Sequence, residues 1–119
     1  MQRPKYHDAA DYHLWVHREL KLTTAQEAVL HAAEHRFAED RKHLTEIIRL
    51  ANMELAEAIT KDRANSPRVQ AAVAKIHNAQ GELQRETMAH VFEMQPHLAP
   101  EQYEKLLNLT ANALYEAAK

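Results

Sequence analysis

The sequence contains no cysteine and one glycine in 119 residues. Without a thiol there are no disulfides, no thiolate metal sites and no thiol catalysis. So little glycine and so few β-branched residues exclude a sandwich or barrel, which needs turn signals about every 8–12 positions. Aromatics are sparse (two Phe, one Trp, four Tyr), and no run approaches the ~18 apolar residues that span a membrane. A net charge of -2 gives no basic footprint, so nucleic acid is not an expected partner. No signal peptide is visible, because Met1 opens directly into Gln-Arg-Pro-Lys. That predicts a cytoplasmic chain, or one from which a leader or anchor has been cut. What is present is alanine in quantity, with 45% hydrophobic and 27% charged residues overall, and it predicts an all-α protein of one domain, 1–119.

The joints between helices are legible from caps. Thr23-Thr24-Ala25-Gln26 offers a capping box, and Ser66-Pro67 reads as an N-cap followed by proline at the first helical position. Pro96 ends a helix and Pro100 begins the next, which predicts helices near 6–20, 23–63, 67–95 and 100–118. Joints this short make consecutive helices antiparallel neighbours, in a four-helix hook with two long central helices. Val29, Ala33, Phe37, Leu44, Ile48, Ala51, Leu55 and Ile59 form the expected apolar stripe of the second helix. Val69, Val73, Ile76, Leu83, Thr87 and Val91 form that of the third. Two short helices cannot cover both stripes along their whole length, so a homodimer is expected.

Nine histidines are the other abundance. At 100° per residue, His90 falls in the middle of the third helix's apolar stripe, with Met94 one turn further along the same line. His13 and His17 are one turn apart on a face shared with Tyr6, Val16 and Leu20. Glu34 stands at the edge of the Leu30/Phe37 stripe, at the end of the second helix that antiparallel packing brings to His90. A carboxylate there is costly unless paired, and a bound cation would pair it. Two readings stand on these residues alone: ordinary core histidines and methionine, or a metal site drawn from three helix ends. His31 and His35, also one turn apart, face away from the stripe and are expected in solvent, where a metal would bind only adventitiously. His7, His43, His77 and His97 lack a partner at ligand spacing on an apolar face, and His97 reads as a loop residue.

Leu22-Thr23-Thr24-Ala25-Gln26 matches the LTxxQ motif of small all-helical periplasmic stress and metal-resistance proteins, and Leu98-Ala99-Pro100-Glu101-Gln102 is a weaker copy with Ala99 in the Thr position. His13-Leu-Trp-Val-His17, Glu34 three residues before Phe37, and His90-Val-Phe-Glu-Met94 resemble the periplasmic sensor domain of bacterial cobalt–nickel resistance systems, the CnrX and NccX type. Gly81-Glu-Leu-Gln-Arg85 extends the likeness, which covers essentially the whole chain. The resemblance implies a dimeric, hook-like sensor on the periplasmic side of the inner membrane, tethered by an N-terminal anchor. It implies action with a membrane-bound anti-sigma protein, whose extracytoplasmic-function sigma factor is released by metal to induce efflux. Its ligands fall on His13, His17, Glu34, His90 and Met94. The anchor is not in this chain, which therefore resembles the sensor portion alone, Met1 then being an added start.

Three imidazoles, both oxygens of Glu34 and a thioether make six donors, a number that suits Ni(II) or Co(II), whereas Zn(II) is content with fewer. The expectation is that all three metals engage the histidines and Glu34, and that only nickel or cobalt recruits Met94. The alternatives are an LTxxQ-type stress chaperone or zinc-binding protein, and a metal carrier that takes several ions per chain. An enzyme is not expected: HExxH, P-loop and GxSxG motifs are missing, and six protein donors leave no open position for substrate.

Overall fold

The computed structural model describes residues 16–118. Within them the chain is all-helical and no strand occurs. Residues 16–20 close the first helix, α1; α2 runs Thr24–Asp62, α3 Pro67–Glu93 and α4 Pro100–Ala117, with a 3-10 turn at Gln95–His97. At 1.5 Å per residue the 39 residues of α2 span about 58 Å and the 27 of α3 about 40 Å.

The caps act as their chemistry requires. Thr23 Oγ1 accepts from the Gln26 backbone N–H at 3.1 Å, while Gln26 Oε1 accepts from the Thr23 N–H at 2.9 Å. Ser66 Oγ accepts from the Val69 N–H at 3.3 Å and donates to Asp62 at 2.6 Å. Glycine has no part in the turns. Lys21 and Arg63, both at φ 54°, take the left-handed positions after α1 and α2 that glycine usually fills. At the far end of α3 the helix stops at Glu93, short of the expected residue 95. Pro96 has no N–H to continue the ladder, and Gln95–His97 tighten into the 3-10 turn instead. Ala99 is extended before Pro100, as a residue preceding proline should be.

The two long helices form an antiparallel hairpin along a seam with alternating steps of three and four. On α2 it runs through Leu30, Glu34, Phe37, Ala51 and Ala58, all buried, with half-buried Arg41, Leu44, Ile48 and Leu55 between them. On α3 it runs through buried Val69, Ala72, Ala79 and His90 and half-buried Ile76, Leu83 and Glu86. This is a coiled-coil spacing. Ion pairs flank it: Lys75–Glu54 at 2.8 Å and Arg36–Glu93 at 2.5 Å. From Glu54 back to Arg36 on α2, and from Lys75 on to Glu93 on α3, is the same number of residues, so the register holds without a slip.

The seam corrects the expected stripes. Val29, Ile59 and Val73 are about half exposed, at 57%, 50% and 49%. Each stands one position off the buried row, on helices so rich in alanine that several rows look equally apolar. Glu34 is not at an edge either; it occupies a seam position between Leu30 and Phe37 and is 3% exposed.

The main core lies at the end of the hairpin where α1 and α4 return. Val16, Leu20, Leu30, Val91, Met94 and Leu106 are buried together there, with Leu22, Leu98, Tyr103, Leu107 and Leu109 packed against them. The two LxxxQ segments meet beside this core. Gln26 Nε2 donates to Gln102 Oε1 at 2.6 Å and Gln102 Nε2 to Gln26 Oε1 at 3.0 Å. Each amide also reaches the other segment's backbone, Gln26 at His97 O (3.1 Å) and Gln102 at Leu20 O (3.2 Å).

Candidate metal centre

His17 lies in the described part of α1, with Val16 and Leu20 turned into the core beside it. Its Nε2 is 2.7 Å from Glu34 Oε1 and 2.6 Å from Oε2. One ring nitrogen thus faces a whole carboxylate, on a side chain that is itself buried. The other ring nitrogen, Nδ1, is 3.6 Å from Glu27 Oε1. Glu27 is two turns before Glu34 and so on nearly the same face of α2. Imidazoles that ligate metals are typically oriented by a carboxylate, backbone carbonyl or water on the far nitrogen, and Glu27 approaches that side of His17 at ion-pair distance. Sequence reasoning passed over Glu27, although its seven-residue spacing from Glu34 carried the signal.

α3 contributes from its last turn. His90 is 8% exposed, and its ring lies parallel to that of Phe37, with centroids 4.5 Å apart and planes 3° from parallel. Phe37 thus covers the face of His90. Stacking on a rigid neighbour fixes the plane of the imidazole and with it the direction of its nitrogens. Met94 caps α3 and is 2% exposed, in the cluster with Leu30 and Leu106. The Arg36–Glu93 ion pair ties α2 to α3 immediately beside Phe37 and Met94.

Of the five expected ligands, the structure joins His17 to Glu34 directly and buries His90 and Met94 at the same end of the hairpin. His13 lies outside the described residues. Among the described residues no three His, Asp or Glu side chains stand together in a group able to hold one ion. The donors nevertheless fit a borderline divalent cation in kind, because imidazole nitrogen beside carboxylate oxygen is the set that nickel, cobalt and zinc accept. The remaining described histidines, 31, 35, 43, 77 and 97, are exposed, as expected for His31 and His35.

One turn before His90, half-buried Glu86 faces Asp40 of α2. Burial raises its carboxyl above the ordinary range, and the charge and hydrogen bond of Asp40 raise it further.

The Nickel and cobalt resistance protein CnrR of Cupriavidus metallidurans is 41% identical over 91 residues, 76% of this chain and 62% of that protein, so this chain spans less than two thirds of its relative's length. The heavy-metal resistance family matches residues 1–105, and the chain belongs to that family.

Proposed function

We propose that the chain is the metal-sensing portion of a nickel and cobalt resistance system. It binds one ion through His13, His17, Glu34, His90 and Met94 and passes the state of that site to a membrane-bound anti-sigma protein. The observation that carries this reading is the pairing of half-buried His17 with buried Glu34, formed between α1 and α2 at the end where α3 supplies His90 and Met94. A carboxylate inside an apolar core is expensive. A heavy-metal resistance protein has a use for it as a ligand.

Bound metal would supply positive charge to Glu34 and a common centre for donors from three helices. The protein's own residues do the rest. Glu27 orients His17, Phe37 fixes the plane of His90, and the two glutamine amides hold the starts of α2 and α4 while the site fills. Recruitment of Met94 by nickel or cobalt, and not by zinc, draws on the end of α3. The signal would leave through α1, which leads toward the anchor expected on the periplasmic face of the inner membrane. No helix among the described residues is long and apolar enough to cross a membrane. The chain acts as a homodimer in this reading, with exposed Leu50, Met53, Ile59 and Val73 as apolar surface for a second copy to cover.

Calorimetric titration with nickel, cobalt and zinc, on wild type and Met94→Ala, tests the reading. One interior ion per chain is expected. Its nickel or cobalt absorption should shift when Met94 is lost, while zinc binding stays unchanged. A protein that holds no ion tightly, and instead suppresses client aggregation without metal, would overturn it in favour of a stress chaperone.

A further inference from the structure

We infer that the outer face of α2 carries a second metal site, in which His31 and His35 together take one late first-row divalent ion from solvent. Both side chains are exposed, and they lie one turn apart. Their rings are already turned toward each other, with centroids 6.5 Å apart and planes 20° from parallel. With about 2.0–2.1 Å from metal to imidazole nitrogen, two rings that share an ion at adjacent positions have centroids roughly 4.5–5 Å apart. The pair has to close by roughly 1–2 Å, a movement within reach of two solvated side chains on a rigid helix.

The surroundings favour a cation. Ala28, Ala32 and Ala38, three or four positions from one or other histidine or next to it, are small, and both histidines are exposed. Glu27 and Glu39 continue the same four-residue row on either side, and both are exposed. Glu27 is turned toward His17, which leaves Glu39 as the carboxylate that lends negative charge from the open end. No third His, Asp or Glu already completes the group among the described residues, so water fills the other positions. Two nitrogen donors without a fixed geometry follow the general order of affinities, copper(II) ahead of nickel(II) and zinc(II). Neutral imidazole is required, so the ion is released as the solution is acidified.

This site is independent of the interior one, and the experiment separates them. Copper(II) and nickel(II) are titrated into wild type, His31→Ala/His35→Ala, His17→Ala and His77→Ala, with bound ions counted and copper followed by electron paramagnetic resonance. The double variant is expected to bind one ion fewer and to lose a signal from copper held by two nitrogens. His77→Ala, an exposed histidine on α3 with no His, Asp or Glu three or four positions away, should behave as wild type. His17→Ala should keep the outer ion and lose the interior one; a full ion count in that variant would mark failure of the interior reading without touching the outer site. An unchanged ion count and spectrum in His31→Ala/His35→Ala would overturn the inference.

Discussion

His17 Nε2 meets both oxygens of Glu34 at once, at 2.7 and 2.6 Å, so a single ring nitrogen bridges the full width of a buried carboxylate. The contact joins two helices whose sequence positions are seventeen residues apart. Truncation of the imidazole removes a partner from Glu34, which is 3% exposed. Leaving a buried acceptor short of a hydrogen-bond partner costs about 1–3 kcal/mol. His17→Ala should therefore lower the melting temperature of the metal-free protein by several degrees. Glu34→Gln, which removes the charge and keeps the shape, should cost much less. Both variants should lose nickel affinity by at least about tenfold, read by calorimetry.

The second LxxxQ segment is an unfinished capping box. Gln102 Oε1 accepts from the Ala99 N–H at 2.9 Å, but Ala99 has no oxygen to return the bond. Its backbone is already extended, as an N-cap residue's should be. Ala99→Thr should supply the missing acceptor and stabilise the protein by about 1 kcal/mol in urea denaturation. An unchanged midpoint would mean that water serves the start of α4 equally well.

Gly81 sits in the middle of α3 and not in a turn. A Cβ built there meets only Arg85 Nη1, the end of a flexible side chain, at 3.6 Å. Gly81→Ala should therefore stabilise the chain by about 0.5–1 kcal/mol through helix propensity alone. Destabilisation would show that this part of α3 needs its backbone bare, as a close partner would require.

Glu86 gives the hairpin a pH dependence. Its carboxyl is raised, by burial first and then by Asp40, so the folded state holds the proton more tightly than the unfolded chain does. The sign follows: between the ordinary carboxylate range and the raised value, stability falls as pH rises. Glu86→Gln should raise the melting temperature at pH 7, and the advantage should close as pH drops below the ordinary carboxylate range. A variant less stable at pH 7 would mean that the ionised carboxylate is a needed partner.

Much of this architecture is legible in the residues. Thr23, Ser66, Pro96 and Pro100 mark the joints to within two residues, because capping and proline act locally. The phase of the long helices is not. Alanine is apolar on every face, and the seam positions that would have fixed the phase hold Glu34, Arg41 and Glu86 among the leucines. Only the partner helix selects the row, and it selects Leu30 over Val29 and Ala58 over Ile59. The inward turn of His90 and Met94 could be read from spacing alone. The stacking of Phe37 on His90 and the approach of Glu27 to His17 depend on how helices meet.

The Gln26–Gln102 contact has a consequence for the conditions under which the fold keeps its shape. Neither amide gains or loses a proton in water, and neither carries a charge for salt to screen. Much of the other side-chain polar bonding is ionic: Arg36 with Glu93, Lys75 with Glu54, and Arg68 with Asp62, whose carboxyl is lowered to about 2 by the guanidinium and by Ser66. Acid and brine act on those. The frame beside His17 and Glu34 is tied by a polar contact indifferent to both, so a change of pH or salt that alters His17 and Glu34 leaves the tie between the two glutamine segments in place.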